Sequence, residues 1–449
     1  VSASPPAAAR RRAAILPFGC QMNRHDAEVA RGLLTRAGWD ASAAPEDADA
    51  VVLFTCAVRQ HAEDRVWSRL GVLRKLKRKR QNLVLALAGC MAQRHGEAAF
   101  RREAALDLVA GSGQLERLPE LLERARAGER VCETDLDERV CVASSFAHRA
   151  RPFQAWLAVM RGCSCRCAYC IVPSVRGPER SRPPGDVLAD ARALVHSGAL
   201  EITLLGQNID RYGRDLEGNA SLARLLSEIA PFEAEGLKRL RFVTSHPRDV
   251  TDELLDAMDT HAVACERLHA PAQSGSARVL AAMGRGYARE DYLRLVERAR
   301  SRMPKIALAS DFIVGFPGET EAEFEETLSL AEGVRFAQAF MFKYSPRPGT
   351  RAAEMADDVP PAVKAERHAR LSKLQERVQL ERHRGMIGCA VEVLVEGPSA
   401  RDASRATGRT RTGEIVTFPA DGDSLAGRLV EVNVTDATAL TLAGEMAPR

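Results

Sequence analysis

Four cysteines fall within Cys163–Cys170 of a 449-residue chain that holds eleven in all. Cys163, Cys167 and Cys170 give the spacing C-x3-C-x2-C, and Cys165 lies between the first two. Gaps of two and three residues let successive thiolates turn toward one iron–sulfur cube. Four thiolates close such a cluster for electron transfer. Three leave one iron open to a ligand, by the logic that separates open catalytic metal sites from closed structural ones. The alternatives are a zinc site using all four thiols and a reactive C-x-x-C dithiol. Four ligands packed as C-x-C-x-C-x2-C strain a single tetrahedron, so the open cluster on Cys163, Cys167 and Cys170 is the preferred reading, with Cys165 a bystander.

A second set is dispersed: Cys20 in LPFGCQMN, Cys56 in LFTCAVR and Cys90 in LAGCMAQR. Each follows a short apolar run and precedes a helical pattern. In an open α/β sheet, ligands bind beyond the carboxyl ends of the strands, so three such junctions bring the thiols to one edge. Helix N-termini behind them favour thiolates and an anionic cluster. Burial of three core cysteines is the alternative, but it does not explain their shared topological position. Cys132, Cys141, Cys265 and Cys389 show no comparable pattern and read as packing residues.

The elements that must position these thiols follow from periodicity. Residues 1–12 read as a disordered tail. From 13 to 145, apolar runs (AAILPFG, AVVLFT, LVLALAG, LDLVAG) alternate with helical stretches, which predicts an α/β domain with a flavodoxin-like parallel sheet. From 146 to 384, six strand-like runs separated by helices suggest a partial (β/α)6 barrel of the TIM type, closed by a connecting helix over 360–384 in which Leu371, Leu374 and Val378 share a face. From 385 to 449, short alternating strands with Gly and Asp turns predict a small β-barrel. Eleven clustered cysteines argue against a secreted disulfide scaffold and for metal or redox chemistry in a reducing cytoplasm. No apolar run approaches the roughly 20 residues of a membrane span, so no membrane association is expected.

The loop RGCSCRCAYC resembles the iron–sulfur loop of radical S-adenosylmethionine enzymes. The strings LLGQN, FVTSHP, LHAPAQSGS, MGRGY, DFIVGFPGET and KYSPRPGT resemble the methylthiotransferase family within that superfamily, almost end to end. FGCQMN, TCAVR and GCMAQR are similar to the branch that acts on dimethylallyladenosine in tRNA. Pro17, Phe54, Ala270, Ala272 and Cys165 depart from the family pattern, while the six ligand cysteines are all present. The resemblance implies two 4Fe-4S clusters, one on Cys163, Cys167 and Cys170 and one on Cys20, Cys56 and Cys90. It implies S-adenosylmethionine, two per turnover: one cleaved to a 5'-deoxyadenosyl radical that takes hydrogen from carbon 2 of the adenine, and one supplying the methyl group of the attached sulfur. It implies that Gly206 and Gln207 meet the methionine end of the cofactor and that the strand end at Ile313 to Gly315 meets its adenine. The small C-terminal barrel resembles a TRAM domain, an RNA-binding module. The partners it implies are tRNA, through its anticodon stem-loop, an electron donor and a sulfur donor. Relatives in the family act on threonylcarbamoyl-adenosine tRNA or on a ribosomal-protein aspartate. A different class of function, a two-cluster electron carrier with an RNA-binding tail, fits poorly with sets of three thiolates and has no use for six barrel units.

Basic side chains mark where RNA would be met. Between Arg59 and Arg80 there are nine basic residues against Glu63 and Asp64 on one predicted helix. Arg176, Arg180 and Arg182 follow the other cluster loop. Residues 385–449 carry nine acidic and six basic side chains, and Arg401, Arg405, Arg409 and Arg411 cluster in one turn-rich stretch. Phosphate contacts need such a local patch and not a high net charge, which is only +4 for the chain.

Overall fold

The computed structural model describes residues 10–58, 60–136 and 143–447. It divides into two compact units. The first comprises Val1–Ala150, Met160–Ser164 and Ile171–Arg182, and the second Arg151–Val159, Cys165–Cys170 and Pro183–Arg449. Residues 1–9 of the expected tail, together with Arg59 and Cys141, lie outside the described residues. At Arg12 the chain is already paired with Asp40. Among the described residues no helix is long and apolar enough to cross a membrane.

The first unit is built on five parallel strands, β1 (Ala13–Pro17), β2 (Ala50–Thr55), β3 (Val84–Gly89), β4 (Leu108–Ala110) and β5 (Val131–Glu133), side by side in that order. Every residue of AVVLFT and VLALAG is buried, as expected of central strands covered on both faces. Helices α1 (Gln21–Arg36) and α5 (Leu118–Arg126) cover one face, packing Ala27, Ala30, Leu34, Leu121 and Leu122 on Ile15, Val52 and Ala86. Helices α2 (Gln60–Lys79), α3 (Cys90–His95) and α4 (Ala98–Arg102) cover the other through Val66, Leu70, Met91 and Phe100. Helices on opposite faces require the chain to reverse direction across the sheet. It does so at Asp40, which bonds to Ala13 and Arg11 on the far side of β1. Asp40 therefore stands for the second strand of a flavodoxin-like order, reduced to one bridge, and the reversal falls between β1 and β2. Helix α6 (Val172–Arg176) also belongs to this unit: Ile171 and Val175 pack with Ala57 and Cys90.

The second unit contains six parallel strands in two ladders: β6 (Gln154–Ala158), β7 (Glu201–Leu205) and β8 (Arg239–Phe242), then β9 (Arg267–His269), β10 (Ala307–Val314) and β11 (Gln338–Lys343). A parallel bridge between Leu240 and Ala264 joins the halves. Helices α7 (Pro184–His196), α8 (Leu222–Ile229), α9 (Asp252–Thr260), α10 (Ala277–Ala282), α11 (Arg289–Arg302) and α12 (Glu321–Val334) intervene, and α13 (Pro361–Arg384) follows. Thr320 caps α12 in a reciprocal box with Glu323. On α13, Leu371 and Val378 are buried and Leu374 half-buried, the face that its spacing predicts.

The C-terminal module is a closed barrel of five strands, β12 (Ala390–Pro398), β13 (Arg405–Arg409), β14 (Ile415–Pro419), β15 (Leu429–Ala437) and β16 (Thr441–Met446), in the order β12-β13-β14-β16-β15. It is part of the second unit. β13 falls in the stretch read as turn-rich. Its Ala406 is fully buried in the module's core with Val393, Val416 and Phe418.

Candidate active site

Cys20, Cys56 and Cys90 follow β1, β2 and β3, and the structure brings them to the carboxyl edge of the sheet. Cys20 is the N-cap of α1 and Cys90 the first residue of α3. The first two flank the point where the strand order reverses, which is where open α/β sheets bind ligands. Gly19 makes the approach possible. Its φ is +109°, and a Cβ there would collide with the Cβ of Cys56. A hydrogen bond from Cys56 is the main influence lowering the Cys20 thiol, against the opposing effect of burial. That same bond, with burial, raises Cys56. Burial raises Cys90, and the Arg176 charge opposes it. Arg176 donates from Nε to Cys90 Sγ (3.0 Å) and from Nη2 to Asn23 Oδ1 (3.2 Å) and Asp26 Oδ2 (2.6 Å). Burial works against the Asp26 carboxylate, but Arg176 and His25 outweigh it and hold the carboxyl below its ordinary range. Among the described residues no three His, Cys, Asp or Glu side chains converge on one ion-sized point. A cuboidal cluster asks for a different arrangement, in which each thiolate meets its own iron. Three thiols at one edge, one of them beneath a guanidinium, form a donor set that fits such an anionic group.

The second cysteine set is described unit by unit. In the first unit, Cys163 is buried and its amide donates to Gly177 O (3.1 Å). Gly162, at φ +76°, leaves no room for a Cβ against Pro178 O. In the second unit, Cys167 and Cys170 are half-buried and linked by a turn, Cys170 N to Cys167 O at 3.1 Å. Ala168 is pinned on both sides, its amide to Met283 O (2.8 Å) and its carbonyl to Ala352 N (2.8 Å). Arg285, buried in the MGRGY turn, donates to Cys167 Sγ (3.4 Å), Tyr169 Oη (3.4 Å) and Pro271 O (3.0 Å). Cys165 accepts from Asn208 Nδ2 at 3.4 Å.

Gly206 and Gln207 directly follow β7, Gly206 buried and Gln207 half-buried. Ile313 lies in β10, its amide bonded to Gln273 O (3.0 Å), and the Gly315 amide beyond it donates to Glu319 Oε2 (2.6 Å). Among the described residues at the carboxyl ends of β7 and β9, the buried Gln207 Oε1 and Asn208 Oδ1 have no hydrogen-bond partner, and His269 Nε2 has only Asp311 Oδ2 at 3.6 Å. Buried polar groups are rarely left so. A ligand carrying an amino acid end and ribose hydroxyls would supply the missing partners on the face where TIM-type barrels hold their substrates.

Three regions of the chain match family models: residues 12–111 match "Uncharacterized protein family UPF0004", residues 157–331 the Radical SAM superfamily and residues 384–447 the TRAM domain. The tRNA-2-methylthio-N(6)-dimethylallyladenosine synthase of Moorella thermoacetica is 46% identical over 98% of this chain and 99% of its own length. The chain belongs to the tRNA-2-methylthio-N(6)-dimethylallyladenosine synthase family. The synthases of Carboxydothermus hydrogenoformans and Parafrankia sp. are 44% and 46% identical, covering 96% and 93% of the chain and 98% and 86% of their own lengths. Among solved structures, the radical S-adenosylmethionine methyltransferase TsrM from Kitasatospora setae, with cobalamin and a [4Fe-4S] cluster bound, has a TM-score of 0.56 at 16% identity, covering 77% of each chain. That likeness concerns fold alone.

Within this synthase family frame, several expected contacts change character. Arg176 and Arg182, expected to flank the site as phosphate contacts, are 4% and 5% exposed. Arg176 is spent on Cys90, Asn23 and Asp26. Asn23, in the FGCQMN string, is fully buried and donates to Phe18 O (3.1 Å). Val58, beside Cys56, is 49% exposed. In the TRAM module, Arg411 bonds Glu266 and the carbonyls of Ala262 and Ala264, and Arg409 bonds Glu396. Arg405 donates to Thr417 O (3.0 Å), so three of the four arginines expected to form an RNA patch there are engaged within the protein. Cys389, read as a packing residue, is exposed, whereas Cys265 is buried. The buried arginines Arg176 and Arg285 are the functional candidates that spacing misses. The available signal was an Arg set between two glycines in MGRGY.

Proposed function

We propose that the protein is a radical S-adenosylmethionine tRNA methylthiotransferase that converts N(6)-dimethylallyladenosine at tRNA position 37, next to the anticodon, to its 2-methylthio derivative. The observation that carries this is 46% identity to such a synthase across 98% of the chain. Its cofactors are two 4Fe-4S clusters and S-adenosylmethionine, which supply the one-electron cleavage, the sulfur and the methyl group that no side chain offers at an inert ring carbon. Cys20, Cys56 and Cys90 would hold one cluster, and Cys163, Cys167 and Cys170 the other. Gln207, Asn208 and His269 would bond the polar parts of S-adenosylmethionine. Gly206, Ile313 and Gly315 would border it through backbone held by Gln273 and Glu319. Met22 and the exposed Val58 offer apolar surface to a prenyl group, whose burial contributes on the order of 25 cal/mol per Å². An adenosine in a single-stranded anticodon loop can leave the stack to be read in this way. We place the reaction in the cytoplasm, with a reducing electron donor and a separate sulfur donor as partners.

The test is a direct comparison under one reducing condition. Purified enzyme is offered prenylated tRNA, the same tRNA unprenylated, a threonylcarbamoylated tRNA and a ribosomal-protein loop peptide. Nucleoside and peptide mass spectrometry should show methylthiolation of the prenylated tRNA far above the rest. Preferential modification of either of the last two would move the protein to another branch of the family.

A further inference from the structure

Arg176 ends a five-residue helix and is almost wholly buried. Its partner Asp26 satisfies its charge. Asp26 does not explain why Nε–H points at Cys90 Sγ from 3.0 Å. A neutral thiol is a weak acceptor, whereas a thiolate takes a charge-assisted bond that is shorter and stronger. Both residues that clamp the guanidinium, Asn23 and Asp26, lie in the first turns of α1, immediately after Cys20. Arg176 thus fixes the third cysteine of the set relative to the helix that begins at the first. Hydrogen bonds to cluster sulfurs and local net charge set reduction potentials. A buried cation beside one ligand favours the more negative, reduced state, and its field is weakly screened there.

We propose that Arg176, clamped by Asp26 and Asn23, is a positioning residue for the Cys20, Cys56 and Cys90 cluster, holding the Cys90 sulfur in place and raising the potential of that cluster. This rests on the ligand assignment above. The test uses the full chain carrying Cys163→Ala, Cys167→Ala and Cys170→Ala, so that only the N-terminal cluster remains, reconstituted anaerobically. Iron content and potentiometric EPR are read with Arg176 intact, as Arg176→Met, as Arg176→Lys and as Arg176→Gln. The parent should hold roughly four irons per chain. Arg176→Met should move the midpoint to more negative potential, or lose that iron while far-UV circular dichroism stays unchanged. Arg176→Lys, which keeps the cation, should recover part of what is lost. A midpoint that stays put in Arg176→Met, with iron retained, overturns the proposal. Should Arg176→Met not fold, Arg176→Gln decides: it keeps an N–H donor but removes the charge, so an unmoved midpoint there also overturns the proposal. A parent chain without this iron overturns the ligand assignment and the proposal with it. That failure is distinct because it precedes any change at Arg176.

Discussion

Asp210 shows how far burial alone moves a group in this barrel. It follows β7, accepts from Ser245 Oγ (2.9 Å) and from the His246 amide (2.7 Å), and burial still raises its carboxyl to about 7. Because the folded value lies above the unfolded one, its stabilising contribution is complete below the unfolded pKa and is lost as pH rises through about 7. Between pH 5.5 and 8 the loss is about 2 kcal/mol, at about 1.36 kcal/mol per unit. Urea unfolding midpoints should therefore fall across that range, and Asp210→Asn should flatten the decline. An equal slope in the variant would show that Asp210 is ionised in the fold. His246, lowered to about 3 chiefly by burial, stays neutral throughout and does not confuse the reading. Asp210 was invisible in the sequence for the same reason that Arg285 was missed and Arg176 was read as a phosphate contact. A cysteine set announces itself by spacing or by its place after a strand. A lone carboxylate or guanidinium acquires its character from neighbours distant in the chain, such as Ser245 for Asp210 and Cys90 for Arg176.

At the scale of elements, strands with continuous apolar runs were legible because burial on both faces admits little else. Four of the five strands of the first sheet fall on AAILPFG, AVVLFT, LVLALAG and LDLVAG, and the six of the barrel match the six runs expected there, whereas β5, only VCE, had no such run. Two further elements were not legible. Asp40 is a strand of one bridge, too short for any alternation to register. β13 reads RATGR, with charge and glycine in place of β-formers, and is a strand because its neighbours close a barrel around it. Gly408 lets it pass tightly against Val393 and Leu394. The arginines near it fasten the module to the amino-terminal ends of the barrel strands. Arg239, fully buried at the start of β8, donates to Glu392 (2.7 Å) and to Arg409 O (2.8 Å). Arg241 and Arg267 donate to the carbonyls of Thr410, Arg411 and Thr412. Arg239→Met should cost about 3 kcal/mol, since it strands buried acceptors that a charged donor satisfied. The expected sign is earlier denaturant unfolding and faster proteolysis near Gly388. An unchanged midpoint would mean that Arg241 and Arg267 alone hold the module.

Across the whole molecule, a net charge of +4 on 449 residues says little about a polyanionic partner, and the arrangement of the charges says more. Along α2 and just beyond it several cations are spoken for: Lys77 pairs with Asp107, Arg74 with Glu103 and, after the helix ends, Arg80 with Asp49. Among the described residues Arg65, Arg69, Lys75, Arg78 and Lys79 make no ion pair. Arg65, Lys75 and Lys79 share the side opposite the buried Val66, Leu70 and Leu73, around an exposed Val72. A basic face that no acidic side chain neutralises is what a phosphate backbone binds, and binding releases its counterions, about 0.7 per phosphate contact on a single strand. Replacing Arg65, Lys75 and Lys79 with Gln should therefore lower the slope of log affinity for the tRNA substrate against log salt by about two. Stability should stay within about 0.5 kcal/mol, because the replaced side chains are at the surface. Fluorescence anisotropy with labelled tRNA over a salt series measures the slope, and denaturant unfolding of the same samples checks the fold. A slope equal to that of the unsubstituted protein would remove α2 from the RNA interface and leave the phosphate contacts to other basic residues, Arg401 of the TRAM module and Arg180 among them.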